Sequence, residues 1–151
     1  MSVDVEEVFS ALVRLETELW SAADSRLRDA HDLPLSWFEP LRVVQQTPRC
    51  RLSDIVDALV ITVGGASKLV DRLQAAGLCK RVIDPSDRRS PVIELTAMGA
   101  RAVEDAHVTF RRELRSLLLG RVDEDSLADL VATVGRLRSQ FTERPHPADY
   151  G

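Results

Sequence analysis

The sequence has few of the residues on which metal sites, disulfide frameworks and redox centres depend. Its 151 residues include two cysteines and three histidines, and aromatic residues make up 5%. Cys50 and Cys79 are too few and too far apart in sequence for a structural zinc site or a disulfide framework. We therefore predict no metal and no cofactor, and we interpret both cysteines as small buried apolar residues.

The sequence also lacks a catalytic motif. The histidines are scattered along the chain, no serine lies in a strand-to-helix elbow, and no glycine-rich phosphate loop is present. The adjacent Gly64 and Gly65 follow a helical pattern and lack the lysine that phosphate loops use. We therefore predict that the protein is not an enzyme.

No apolar run approaches the roughly 18 to 20 residues that a membrane-spanning helix needs. The first segment, MSVDVEEVFS, carries acidic residues, whereas a signal sequence carries basic and then apolar residues. We expect a cytoplasmic protein without a membrane partner. A hydrophobic content of 44% is enough for one domain with its own core, or for one that completes its core with a partner.

Basic residues are concentrated in the middle third of an acidic chain. The formal net charge is −4, but residues 49–101 contain nine Lys or Arg and six Asp or Glu, a balance of +3. The rest of the chain has a balance of −7. This uneven distribution is compatible with nucleic-acid binding by the middle third.

Helical periodicity predicts long helices towards both ends of the chain. Apolar residues recur at helical spacing from about residue 4 to residue 30, and a shorter helix is expected over 36–46. Thr96 can cap a further long helix, which the segment GRVDEDS separates from a last amphipathic helix. The tail at 145–151 is predicted to be disordered.

The outer helices carry wide apolar faces that no second domain of the chain covers. We predict that 1–47 and 100–144 form the dimerisation helices of a homodimer, because exposing such faces to water would favour aggregation. In the alternative interpretation, these helices pack on the middle of their own subunit.

Two short helices and a hairpin are predicted over 48–99. A helix begins near Ser53, and Thr62 can cap a second helix that stops at Gly77, which makes a helix-turn-helix. The β-branched segments 78–83 and 91–95 flank the turn-prone DPSDRRS and predict two antiparallel strands with a long tip. The predicted fold is mainly α with a small β wing: a winged helix-turn-helix with N- and C-terminal dimerisation helices, in a single domain.

These elements, and the residues at their centre, resemble the MarR family of bacterial transcription regulators. The match is strongest over 52–99, with LVDRL in the second short helix, a Gly-Leu pair before the first strand, D-P-x-D-R-R in the hairpin and L-T-x-x-G after it. The rest of the chain agrees in helical pattern and length only. The resemblance implies a homodimeric repressor that binds pseudo-palindromic operator DNA and is released by a small aromatic or phenolic ligand, or by oxidation.

In such a protein the second short helix would be the recognition helix. Free amides in its first turn can receive a phosphate, and its glycines would allow close approach to DNA; the alternative is a weakly formed first turn. Asp71 is expected to pair with a nearby arginine. We expect Ser67 and Lys68 on base edges and Arg72 on phosphate. The candidate DNA-binding residues of this helix are Thr62, Gly64, Gly65, Ser67, Lys68 and Arg72.

A basic wing suits the minor groove of DNA, where a guanidinium meets base acceptors and a negative potential. We predict Arg89 in the minor groove and Arg88 on phosphate or the groove edge. Asp87 is expected to accept a hydrogen bond from Arg89 and so to orient that side chain. In the alternative, the two arginines only neutralise Asp84 and Asp87 at a solvated hairpin tip.

The family resemblance also raises the possibility of ligand sensing. An aromatic anion would bind between the dimerisation helices and the winged helix, where an arginine can pair with a carboxylate and a tryptophan can cover a ring. The alternative places both tryptophans in the core, with Arg42 as an ordinary salt-bridge donor and His31 as a cation at a helix C-terminus. The candidate pocket residues are Trp20, Asp24, His31, Trp37 and Arg42.

Two further hypotheses remain open. In the first, the chain is a redox-sensing regulator in which nearby basic residues lower the pKa of Cys50 or Cys79; these basic residues are Arg49, Arg51 and Lys80. A disulfide between the two cysteines is not expected, because in winged helices the returning wing strand commonly lies between such positions and holds them too far apart. In the second, the chain is a winged-helix protein-interaction module that binds no operator.

Overall fold

The computed structural model describes residues 2–142, and the predicted disordered tail at 145–151 lies outside them. The bounds predicted for the first two helices are correct to one residue, and the mainly α fold with a small β wing is confirmed. The elements follow in the order α1 (Val5–His31), α2 (Leu35–Gln46), α3 (Leu52–Leu59), α4 (Val63–Ala75), β1 (Cys79–Asp84), β2 (Asp87–Leu95), α5 (Ala97–Leu119) and α6 (Glu124–Thr142).

Two threonines begin helices where the sequence predicts them. Thr62 Oγ1 accepts a hydrogen bond from the Gly65 amide at 3.0 Å, and Thr96 Oγ1 accepts one from the Gly99 amide at 3.0 Å. Each bond satisfies an amide that has no partner within its own helix. The two caps fix the first turns of α4 and α5 on either side of the hairpin.

The core lies where α1, α2 and α5 meet the short helices and the hairpin. Leu27 of α1 and Phe38 of α2 are fully buried, and the Phe38 ring lies 5.0 Å from that of Phe110 in α5. Gly99 lets α5 approach the hairpin, because a β-carbon there would lie 1.8 Å from the Leu78 carbonyl oxygen. This packing fixes the winged helix-turn-helix against the long helices.

α6 differs from the other helices because none of its residues is buried in the described chain. α1 packs on α5 through Ala23 and Leu27, but its first half is exposed, as at Phe9. The second half of α1 therefore packs on its own subunit, as in the alternative interpretation, whereas α6 buries no residue there. The exposed apolar residues of α6 are Leu130, Val131, Val134, Leu137 and Phe141.

The hairpin has a longer second strand and a shorter turn than the sequence predicts. A regular antiparallel register joins 79–82 to 92–95, and the next pair is Asp84 with Asp87, after a register shift. The predicted long tip is wrong: the arginines at 88–89 lie in the irregular part of β2. Turn-forming residue types misled the prediction, because a bulged strand accepts residues that a regular ladder disfavours.

Candidate nucleic-acid interface

The first turn of α4 is exposed and well formed. Thr62, Gly64 and Gly65 lie at the surface, and the Thr62 hydroxyl closes the turn. A β-carbon on Gly65 would lie 2.9 Å from Thr62 Oγ1, whereas one on Gly64 would meet nothing within 4 Å. A side chain at position 65 would therefore crowd the capping hydroxyl, whereas no contact within the described chain requires a glycine at position 64.

Further along α4, Lys68 and Arg72 are exposed and Ser67 is half-buried. Lys68 and Arg72 are four residues apart and so lie on neighbouring turns of one helix face. Neither cation forms a salt bridge with another residue of 2–142. Both are therefore available to an anionic partner.

Arg81 ties β1 to α4. Its Nη1 donates to Gln74 Oε1 at 2.9 Å, and its Nη2 lies 2.9 Å from Asp71 Oδ1. Nη2 also donates to the Ser67 carbonyl oxygen at 3.4 Å. The predicted pairing of Asp71 with a nearby arginine is confirmed, and the pairing holds the wing and α4 together.

The guanidinium groups of Arg88 and Arg89 are exposed and form no salt bridge or hydrogen bond within residues 2–142. The pairing with Asp84 and Asp87 in the alternative interpretation is therefore not observed, whereas its solvent-exposed position is. Asp87 Oδ1 accepts a hydrogen bond from the Arg89 backbone amide at 3.1 Å, whereas the sequence predicts a bond to the side chain. The carboxylate thus orients the backbone that carries Arg89 and leaves the guanidinium open.

Asp84 is a buried carboxylate at the end of β1, with a side chain that is 4% exposed. It accepts hydrogen bonds from Ser86 Oγ at 2.6 Å and from Arg49 Nη2 at 2.7 Å, and Arg51 Nη2 donates to it as well. Hydrogen bonds from Ser86 and then from Arg51 hold the pKa of Asp84 well below its usual range, against the opposing effect of burial. The charged carboxylate therefore joins the wing to the segment that precedes α3.

Sequence reasoning missed both Arg81 and this network. Arg49 and Arg51 lie 35 and 33 residues from Asp84, so their spacing gives no sign of the contact. The available signal was the Asp-Pro-Ser turn, because an aspartate in a turn commonly accepts a hydrogen bond from the residue two positions later.

The structure brings together two of the five predicted pocket residues. Trp20 and Arg42 line an open cavity of about 360 Å³ whose walls come from α1, α2, α5 and α6. Trp20 is 43% exposed, so it is not the core residue of the alternative interpretation. The other three do not line this cavity: Asp24 accepts from the Leu35 amide at 2.8 Å, His31 lies 2.7 Å from Thr109 Oγ1, and Trp37 packs against the core.

Arg42 lies over the rings of Phe38 and Phe110, at 5.9 and 5.4 Å from their centroids. Its Nη2 donates to Glu39 Oε2 at 3.0 Å, which is the helix salt bridge of the alternative interpretation. Arg42 Nε and Glu39 Oε1 are buried and make no hydrogen bond within the described residues, although Oε1 lies 2.8 Å from Nη2. The sequence did not single out Glu39, which also lines the cavity.

Both cysteines are buried and free. Burial, with the nearby Asp54 carboxylate, raises the pKa of the Cys50 thiol to about 11. Burial also raises the pKa of Cys79, against a smaller opposite effect of Arg81. The hypothesis that neighbouring basic residues lower a thiol pKa is therefore wrong, and neither thiol has the thiolate character that a redox sensor needs.

The MarR family model matches residues 31–90. The multiple antibiotic resistance protein MarR of Escherichia coli K12 is 27% identical over 77 residues, which are 51% of this chain and 54% of that protein. The chain thus spans about half the length of the curated relatives that it matches.

Two solved structures resemble the whole fold. Sco3205, a MarR family transcriptional regulator from Streptomyces coelicolor in complex with DNA, has a TM-score of 0.81 at 22% identity, over 98% of this chain and 94% of its own. AbsC, a MarR family regulator from the same organism, has a TM-score of 0.84 at 17% identity, over 95% and 99%. Within residues 2–142, no helix is long and apolar enough to cross a membrane.

Proposed function

We propose that the chain is a DNA-binding transcription regulator of the MarR family, supported by the family match over 31–90 and by the shared winged-helix fold. The observation that carries the proposal is the exposed pair of guanidinium groups at 88–89, which have no acidic partner within the described residues. Unpaired cations on a wing suit the minor groove, where the negative potential of DNA is concentrated. We assign Arg89 to the groove, Arg88 to its edge or a phosphate, and Asp87 to holding the backbone of Arg89.

The surface of α4 supports the same proposal. In the proposed complex, the turn capped by Thr62 receives a phosphate, Ser67 and Lys68 face base edges, and Arg72 contacts the backbone. A glycine inside a helix costs roughly 1 kcal/mol relative to alanine. Gly64 carries this cost without an internal contact that requires it. Close approach of DNA at this position is the reason we assign to it.

We propose that the regulator is a homodimer, with 48–99 as the DNA-binding region and 1–47 and 100–144 as the interface. The exposed apolar faces of α1 and α6 support this assignment, since water does not tolerate large apolar patches well. Two α4 helices would then lie in successive major grooves, about 34 Å apart, on a pseudo-palindromic operator. Occupying a promoter in this way makes the protein a repressor.

A small aromatic effector is part of the proposal. A phenol in the cavity beside Trp20 would lie next to Arg42 and Glu39, which also line the cavity, and its hydroxyl group would bind this charged pair. A carboxylate would instead have to compete with Glu39 for Arg42. The effector releases DNA only if it binds more tightly to a dimer whose two DNA-binding regions are spaced differently from those of the DNA-bound dimer.

The family match agrees with the prediction that the chain is not an enzyme. The raised thiol pKa values weigh against the redox-sensing alternative. The remaining alternative is a protein-interaction module that binds no operator.

Selection of duplexes from a random pool tests the proposed function. The full chain is incubated with the pool at moderate salt, and bound duplexes are recovered, amplified and sequenced over several rounds. We expect enrichment of an inverted repeat whose half-sites are about 10 base pairs apart, centre to centre. Recovery of no shared sequence would contradict operator binding and favour the protein-interaction module.

A further inference from the structure

Arg51 joins the start of α3 to both strands of the wing. Its backbone amide donates to Asp54 Oδ2 at 2.8 Å, which fixes Arg51 as the N-cap of α3. Its guanidinium donates from Nη2 to Asp84, at the end of β1, and from Nη1 to the carbonyl oxygen of Ser90, in β2. The side chain therefore spans the irregular part of the hairpin, in which Arg88 and Arg89 lie.

The segment 87–90, which we call the wing segment, is held at its two ends by different groups. Asp87 holds the Arg89 amide at one end, and Arg51 holds the Ser90 carbonyl at the other. Between these two contacts the regular register of the hairpin is interrupted. An irregular segment of this kind depends on side chains for its conformation, because the ladder of backbone hydrogen bonds does not fix it.

The contact requires an arginine. A guanidinium presents donors in a planar fork, so one side chain can bind a carboxylate and a carbonyl oxygen at once in a fixed geometry. A lysine carries one compact ammonium group and keeps the charge without the fork. The Arg51 side chain is 24% exposed, which shields these bonds from water.

Arg49 provides a matched comparison within the same network. It also binds the Asp84 carboxylate, but its side chain is 67% exposed and forms no hydrogen bond with Ser90. If the conformation of the wing segment depends on the forked guanidinium group of Arg51, replacing Arg51 by lysine disturbs that segment. Replacing Arg49 by lysine then leaves the segment unchanged.

We propose that Arg51 is a positioning residue for DNA binding, which holds the wing segment against the start of α3 so that Arg89 meets DNA in one orientation. Because the segment is ordered before binding, less conformational entropy is lost in the complex. The effect of Arg51 on DNA binding, which we call the DNA step, rests on the proposed function. The contact of Arg51 with the wing segment, which we call the holding step, is a property of the free protein.

Hydrogen exchange of the free full chain tests the holding step, with Arg51→Lys and Arg49→Lys compared with the wild type. We expect the amides of residues 88–90 to exchange about tenfold faster in Arg51→Lys and at unchanged rates in Arg49→Lys, with α4 unchanged in both. Faster exchange throughout α4 would show that Arg51→Lys unfolds the protein more generally. In that case the double variant Arg51→Gln/Asp84→Asn replaces it, because this variant leaves no buried charge unpaired. Unchanged exchange at 88–90 in a folded Arg51 variant would overturn the proposal.

The salt dependence of binding to the selected duplex tests the DNA step. We expect Arg51→Lys to weaken binding about tenfold with an unchanged slope of log affinity against log salt, and to add no further loss in an Arg89→Ala background. In Arg51→Gln, which removes the charge, a slope reduced by about one would show that Arg51 itself binds phosphate. An additive loss in the Arg89→Ala background would show that Arg51 acts independently of Arg89, and either result overturns the positioning role. A wild type without preference for any duplex would refute the proposed function, while the exchange experiment would still decide the holding step.

Discussion

The winged helix-turn-helix over 49–95, which we call the head, and the outer helix α6 are stabilised in different ways. The head closes its structure within one chain: Arg81 ties β1 to α4, and Arg51 ties the wing to α3 through the buried Asp84. α6 has no buried residue, and Val131 on its apolar face is 72% exposed.

The two regions differ in whether contacts within one chain are enough to cover or pair their side chains. Polar side chains that meet within the head satisfy each other, so its exposed cations at 88–89 are available to a partner of opposite charge. The apolar side chains of α6 are not buried by the described part of their own chain. We therefore expect the head to meet DNA and α6 to meet a second copy, and each prediction below tests one side of this division.

The largest expected effect is on assembly. Val131→Glu combined with Phe141→Glu places charges on the exposed face of α6 and would bury four of them in a symmetric dimer. We expect the dissociation constant of the dimer to rise by roughly a thousandfold or more, with little change in the melting of the subunit. Sedimentation at several concentrations measures this change. Ser139→Glu, at a polar position of the same helix, is the control, and an unchanged dimer in the double variant would contradict the assignment of this face.

A smaller effect is expected from the open first turn of α4. Gly64→Ala should raise the free energy of unfolding by up to about 1 kcal/mol, because alanine favours a helix, and should weaken operator binding about tenfold, because a methyl group obstructs DNA. Gly135→Ala in α6 is a matched control, since its β-carbon also meets nothing within 4 Å. Denaturant melts and anisotropy titrations measure the two quantities. If both variants bind DNA like the wild type, Gly64 has no part in the interface.

The cavity beside Trp20 lies among the outer helices, and changing it should have a more modest effect. Arg42→Gln removes the charged pair with Glu39, so we expect the phenol concentration needed for release of DNA to rise about threefold or more, with unchanged DNA affinity in the absence of phenol. Arg28→Gln, which alters a salt bridge outside the cavity, serves as the control. Equal responses in the two variants would remove Arg42 from the sensor.

The smallest effect is expected at the cysteines. Because the pKa of Cys50 is raised to about 11, the thiolate form is scarce at neutral pH, and the pKa of Cys79 is shifted in the same direction. A thiol reagent at neutral pH should therefore label the folded protein slowly and leave operator binding unchanged, while both thiols react in denaturant. Rapid labelling of the native protein with loss of DNA binding would restore the redox hypothesis.

Local signals in the sequence predicted more of the fold than of the site. Helix periodicity located the first two helices to within one residue, and Thr62 and Thr96 were recognised as caps because a cap depends on residues three positions apart. The fork of Arg51 was not predictable, because it joins residues distant in the chain that only the folded hairpin brings together.

Composition misled the prediction where local and tertiary preferences differ. The segment DPSDRRS has the residues of a long turn, but most of it belongs to β2, whose register shift cannot be read from alternation. The proposed ligand pocket was similarly too broad, since Asp24 and His31 have partners on other helices. Residue type was enough to select candidate pocket residues. Only the packing of the helices showed which candidates have partners within the protein and which line the cavity.

The claim that the wing reads DNA is tested most directly by fluorescence anisotropy. The selected operator and a scrambled duplex are each titrated with the wild type, Arg89→Ala and Arg136→Ala at several salt concentrations. Arg136 is an exposed arginine of α6 and controls for the loss of a charge. We expect the wild type to prefer the operator in a salt-dependent way, with the preference kept in Arg136→Ala and weakened about tenfold or more in Arg89→Ala. Equal binding of the operator by all three proteins would contradict the claim that the wing reads DNA.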